Sequence, residues 1–205
     1  MFSSLRAGFV ACLLGLLVAC GGGPALEPLA ADATILAFGD SLTAGTGAKR
    51  DQAYPTQLDA MLSQRVVNAG VPGETTAGGL QRLPGVLAQH SPALVVLCLG
   101  GNDMLRKQDL GQAKANLASM IRMIRDRGAQ VVLLGVPEPG LLLLSAPAFY
   151  AELAEEFGLP YDGETLPNIL ADRSLKSDPI HPNAEGYREL AGAVRTLLAE
   201  AGAID

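Results

Sequence analysis

The chain has 205 residues, 49% of them hydrophobic and 18% charged, which suits one domain with a full-sized core and excludes a disordered chain. A formal charge of −6 argues against the basic face of a nucleic-acid binder. It says nothing about substrate charge, because surface acids also serve solubility alone.

Arg6 precedes an apolar stretch, Ala7 to Ala19, that is too short to span a bilayer and ends in small residues. Residues 1–19 therefore read as a secretory signal. Leu17-Val18-Ala19-Cys20 resembles a bacterial lipobox, whose cysteine becomes the acylated first residue of the mature chain. An ordinary signal with a chance cysteine is the alternative. Gly21 rather than Asp after Cys20 resembles an outer-membrane sorting signal. Residues 20–33, rich in Gly, Pro, Ala and Leu, read as the lipidated cysteine and a flexible tether, leaving 34–205 as the domain. Cys12 falls in the signal and Cys20 would be acylated, so Cys98 has no disulfide partner. Between Leu97 and Leu99 it reads as a small buried hydrophobe rather than a nucleophile.

Beyond residue 33, strand-like runs fall at 34–38, 65–69, 93–99 and 130–135. The last two are almost continuously apolar, as in strands buried on both faces of a parallel sheet. Between Gly111 and Gly128, Ala113, Leu117, Met120, Ile121 and Ile124 share one helical face, and Gly128 is a natural stop. Tyr187, Leu190, Ala191, Val194, Leu197 and Leu198 form a second apolar stripe, with Asn183 as its N-cap. Alternating strands and helices predict an α/β fold, a three-layer α/β/α sandwich around a parallel sheet.

Gly39-Asp40-Ser41-Leu42 places a serine at the carboxyl end of the first strand, where open α/β sheets carry reactive groups. A serine hydroxyl needs a base and an orienting acid to act as a nucleophile. Of the two histidines, His90 precedes Ser91-Pro92 with no acid placed to orient it, and reads as a loop residue. His181 lies in Asp178-Pro179-Ile180-His181-Pro182, where two prolines restrict the loop. Asp178 can there meet one ring nitrogen of His181 and leave the other for Ser41; a proline-rich turn into the last helix is the alternative. Gly100-Gly101-Asn102-Asp103 and Asn68-Ala69-Gly70-Val71-Pro72-Gly73 also follow strands. The Asn102 amide and a glycine N–H are donors of the type an oxyanion needs, although tight turns would use the same residues. Gly45-Thr46-Gly47-Ala48-Lys49-Arg50 lacks the residues of a phosphate loop, and no Gly-x-Ser-x-Gly elbow occurs.

Taken together, Gly39-Asp40-Ser41-Leu42, Gly73, Gly100-Gly101-Asn102-Asp103 and Asp178-Pro179-Ile180-His181 resemble the four blocks of the SGNH (GDSL) hydrolases, in order and spacing. Gly73-Glu74-Thr75 and Gly79-Leu80-Gln81-Arg82-Leu83-Pro84 are similar to the bacterial arylesterase, acyl-CoA thioesterase I and lysophospholipase L1 subgroup in particular. The resemblance implies a flavodoxin-like sheet and hydrolysis of carboxylic esters through an acyl-Ser41 intermediate, without metal or organic cofactor. It implies His181 as base, Asp178 as its orienting acid, and Ser41 N–H, Gly73 N–H and Asn102 as oxyanion donors, with Gly70 competing with Gly73. Asp40 and Asp103 would shape the turns around Ser41 and Asn102. In that subgroup the loop holding Leu141 and Leu142 lies near the acyl group, so these two are candidate substrate contacts; ordinary core packing is the alternative. A small-molecule or lipid ester is the expected substrate, with no nucleic acid, a monomeric state, and the membrane met through Cys20. A carbohydrate O-deacetylase and a non-catalytic envelope binding lipoprotein are the other functions considered. The shortage of aromatic residues and absence of Trp speak against sugar stacking.

Overall fold

A computed structural model describes residues 23–140 and 144–205. The expectations placed on the signal, on Cys20, and on Leu141 and Leu142 lie outside the described residues. Five strands, β1 (Thr34–Gly39), β2 (Arg65–Gly70), β3 (Leu94–Cys98), β4 (Gln130–Leu134) and β5 (Tyr161–Asp162), form one sheet in the order β2-β1-β3-β4-β5. Every neighbouring pair is parallel. This is the flavodoxin-like order, in which the direction of travel across the sheet reverses between β1 and β3.

The apolar runs account for the sheet's position. Ile35 to Phe38 and Leu94 to Cys98 are fully buried, because helices cover both faces. The helices are α1 (Ser41–Ala44), α2 (Tyr54–Asp59), α3 (Thr76–His90), α4 (Gly101–Leu105), α5 (Leu110–Arg125), α6 (Ala148–Phe157), α7 (Thr165–Ala171) and α8 (Ala184–Glu200). On one side α8 packs with α2 and α7; on the other α5 packs with α3 and α6. The apolar stripe of α5 is buried as the spacing predicts, and that of α8 is too, except for a half-buried Leu197. Asn183 caps α8 by accepting from the Glu185 and Gly186 N–H groups at 3.0 and 3.1 Å.

The segment expected to be a flexible tether is not loose along its length. Leu26 N–H donates to the Ala201 carbonyl at 2.7 Å and Leu29 N–H to that of Ala203 at 2.8 Å. The Gln130 side chain pairs with both backbone groups of Glu27, at 2.6 and 2.9 Å. Leu26 and Leu29 pack against the core. Residues 26–33 form a strap across the amino ends of the strands, held to Ala201, Ala203 and Gln130.

Candidate active site

Ser41 opens α1 directly after β1. Gly39 permits this turn, since a Cβ there would lie 2.2 Å from Thr43 Oγ1 and 2.3 Å from the Cys98 carbonyl. Asp40 caps α1, its Oδ1 accepting from Leu42 N–H at 3.0 Å.

The His181 loop reaches the serine from the far end of the chain. Asp178 Oδ1 accepts from the Ile180 and His181 backbone N–H groups, both at 2.9 Å, which fixes the turn and leaves Oδ2 for the ring. His181 Nδ1 lies 2.8 Å from that Oδ2, and Nε2 lies 3.0 Å from Ser41 Oγ. These partners assign the tautomer: Nδ1–H donates to the carboxylate and Nε2 accepts from the hydroxyl. Burial opposes ionisation of Asp178. The hydrogen bonds from the His181 ring and from the two backbone N–H groups, with the His181 charge, outweigh it and hold the pKa below the ordinary carboxylate value. Gly47, in the stretch dismissed as a phosphate loop, seats this loop. A Cβ there would lie 2.2 Å from Ser177 Oγ and 2.5 Å from the Pro182 carbonyl. Tyr187 of α8 adds a second tie, donating to the Thr46 carbonyl at 2.7 Å.

The structure separates the two competing glycines. Gly70 packs against α1, where a Cβ would lie 2.1 Å from Ala44 N, and its own N–H donates to Asn68 Oδ1 at 2.9 Å. Gly73 adopts φ +79, in the left-handed region that favours glycine, and its N–H has no hydrogen-bond partner among the described residues. Arg106 holds the Gly73 carbonyl at 2.7 Å, tying the β2–α3 loop to the end of α4. Sequence reasoning passed over Arg106, because nothing local marks an exposed arginine as a loop clamp.

Asn102, in α4 after β3, donates through Nδ2 to Asp40 Oδ2 at 3.2 Å and to the Glu74 carbonyl at 3.0 Å. Both partners are acceptors, so they fix the orientation of the amide, which lines the same cleft as Ser41. The two N–H groups are already engaged, so an oxyanion beside Ser41 must share one of them. Asp40 is therefore more than a turn residue. Asp103 likewise reaches beyond its own turn: it takes the Thr76 N–H at 2.9 Å and the Thr76 hydroxyl at 2.7 Å, capping α3 from α4. Asn116 donates to that hydroxyl at 3.0 Å, which completes a buried polar link between α3, α4 and α5.

Asp40 is 1% exposed, and burial pushes its pKa up to about 6, against the Leu42 and Asn102 hydrogen bonds and the His181 charge, which lower it. Cys98 is fully buried, and burial raises its thiol pKa, which suits packing rather than nucleophilic attack. His90 ends α3 at the opposite edge of the sheet from Ser41. Among the described residues no cluster of His, Cys, Asp or Glu could hold a metal ion, and no helix is long and apolar enough to cross a membrane.

A cleft opens over Ser41, with Leu105, Val136, Pro137, Leu144, Leu170 and Ile180 supplying apolar walls. All of this gathers at the carboxyl edge of the sheet, at the β1/β3 reversal where such folds bind ligands.

Residues 37–189 match the model of the GDSL-like lipase/acylhydrolase family. The chain belongs to this family. It is 46% identical over 119 residues to esterase TesA of Pseudomonas aeruginosa, a match covering 56% of this chain and 59% of that protein. It is 35% identical over 173 residues to thioesterase 1/protease 1/lysophospholipase L1 of Escherichia coli, covering 79% of this chain and 81% of that one. The matched stretch thus spans less than two thirds of the Pseudomonas esterase and most of the Escherichia coli enzyme. A crystal structure of TesA superimposes with a TM-score of 0.73 at 34% identity, covering 82% of this chain and 99% of that one.

Proposed function

We propose that this chain is a serine carboxylic ester hydrolase. The observation that carries the reading is the continuous relay Asp178–His181–Ser41, with 2.8 and 3.0 Å links. Ser41 Oγ attacks the acyl carbonyl as its proton passes to His181 Nε2. Asp178 holds the ring and stabilises the imidazolium that forms. Negative charge develops on the former carbonyl oxygen, where the Ser41 and Gly73 N–H groups and the Asn102 amide receive it. Collapse of the tetrahedral species breaks the bond to the leaving oxygen or sulfur, which takes the proton from His181. Water, deprotonated by His181, then cleaves acyl-Ser41 and restores the hydroxyl.

The substrate class follows from the cleft. Its walls are aliphatic and prolyl, which suits an acyl or aryl group better than a sugar. Aryl, acyl, thio- or lysophospholipid esters are within its chemistry. A triad complete within one chain supports a monomeric enzyme. Its place is the bacterial cell envelope, as a periplasm-facing lipoprotein held to the outer membrane through Cys20. The support is the lipobox at Leu17 to Cys20 and the Gly21 that follows.

The test is hydrolysis of p-nitrophenyl esters from acetate to palmitate, with a lysophospholipid and an acetylated sugar alongside and Ser41→Ala as the blank. Hydrolysis of the simple esters by the parent chain alone is expected. Equal rates from the Ser41→Ala variant would overturn the proposal, and a preference for the acetylated sugar would replace its substrate class.

A further inference from the structure

The strap and the catalytic edge lie at opposite ends of the sheet. Leu26 is pinned to the Ala201 carbonyl, just past the last turn of α8. Ahead of it, Gly23 and Pro24 lie beside Leu197, Glu200 and Ala201. His181 stands three residues before the other end of the same helix. The 17 residues of α8 separate the two ends by about 25 Å, at about 1.5 Å per residue.

The lipobox cysteine is only six residues ahead of the pinned Leu26. Fully extended, six residues reach about 20 Å. That is shorter than α8 even when every residue before Leu26 is counted as free. Turning the domain over would lift Leu26 at least a helix length from the surface that holds the anchor, beyond the reach of this leash.

We infer that the catalytic mouth faces away from the bilayer in which Cys20 is anchored, so its substrates are esters presented from the aqueous compartment and not lipids of that bilayer. The inference rests on the anchoring proposed above. It narrows the substrate class: a lysophospholipid reaches Ser41 after leaving its membrane or from a facing one, whereas a dissolved aryl or acyl ester reaches it directly. The strap performs the orienting. Gln130 and the backbone of Ala201 and Ala203 hold it, and none of them touches the reacting atoms.

The full chain is expressed, and its mature form reconstituted in vesicles of phosphatidylethanolamine and phosphatidylglycerol that carry an acceptor dye on lipid. Donor dyes are placed by Lys107→Cys at the catalytic edge and by Glu200→Cys at the strap end. Both positions are exposed, and Cys98 is buried. Energy transfer to the bilayer is expected to be strong from position 200 and weak from position 107. A fluorophosphonate attached to a lipid headgroup in the same vesicles is expected to label Ser41 at least tenfold more slowly than a dissolved one. Inserting twenty Gly-Ser residues after Gly22 should remove both differences. Equal or stronger transfer from position 107 with the native leash, or equal labelling by the two probes, would overturn the orientation. A chain that does not float with the vesicles would overturn the anchoring, which separates the two failures.

Discussion

Replacing Asp40 by Asn separates what this carboxylate does for catalysis from what it costs the fold. Burial raises its pKa from 3.8 to about 6. A carboxyl with a raised folded pKa binds its proton more tightly in the folded state. Its stabilising contribution is therefore complete below 3.8 and is lost as pH rises through about 6. At about 1.4 kcal/mol per pK unit, the ionised carboxylate costs the fold about 3 kcal/mol above that range. Asn does not ionise. The unfolding free energy of the Asp40→Asn variant minus that of the parent is thus expected to rise by about 2 kcal/mol between pH 4 and pH 7, and then to level off. Urea unfolding at matched pH measures this, and any constant offset from the altered α1 cap cancels. Activity should move the other way. The amide introduced by Asp40→Asn can offer Asn102 either its oxygen or its NH2, so the orientation of the oxyanion donor is no longer fixed. A loss of roughly tenfold or more in kcat with little change in KM is expected, short of the roughly 10²–10³-fold for deleting a donor. A stability difference that stays flat from pH 4 to pH 7 would refute the cost to the fold, and a kcat within twofold of the parent would refute the role in orienting Asn102.

Arg106→Ala releases the Gly73 carbonyl and is expected to lower kcat about tenfold at nearly constant KM, with partial recovery in Arg106→Lys; an unchanged kcat would count against the clamp. Gly70→Ala and Gly73→Ala should fail differently. The first forces a Cβ to 2.1 Å from Ala44 N and should destabilise by about 1–3 kcal/mol in denaturant. At Gly73 a Cβ meets only Arg106 Nη2, at an ordinary 3.5 Å, but the φ of +79 strains Ala by about 1–2 kcal/mol, so the second should lose kcat along with some stability. Leu144→Asp places a charge in the apolar wall and should impair decanoate esters more than acetate, and equal losses on both would remove Leu144 from the acyl site.

What could be read from the sequence was what repeats or what is short-range. β1, β3 and β4 show as unbroken apolar runs because both faces are covered, and α5 and α8 show as stripes because one face is. Ser41 stood out at a strand end, whereas the pairing of Asp178 with His181 was open from its proline-restricted loop alone and was expected only through the resemblance of all four blocks. The fold brings the three side chains into one hydrogen-bonded row. β5 was not legible, since two residues, Tyr161 and Asp162, carry no periodicity. The strap was missed because its Pro and Ala, following Gly21-Gly22-Gly23-Pro24, look like a linker, and only Ala201, Ala203 and Gln130, more than a hundred residues away, give it a fixed course. The same holds for Gly47 and Arg106, whose roles exist only through contacts distant in sequence. The choice between Gly70 and Gly73 turned on a backbone angle and a packing distance that residue type alone does not encode.

Everything proposed for the cleft depends on Ser41 forming the covalent intermediate. The decisive experiment incubates the protein with a dissolved fluorophosphonate, then follows peptide mass spectrometry and residual p-nitrophenyl butyrate hydrolysis together. One label per chain is expected, on the peptide containing Ser41, with activity lost in proportion to labelling. Full activity in the labelled protein, or a label on another residue that tracks the loss, would remove Ser41 from the nucleophile's role.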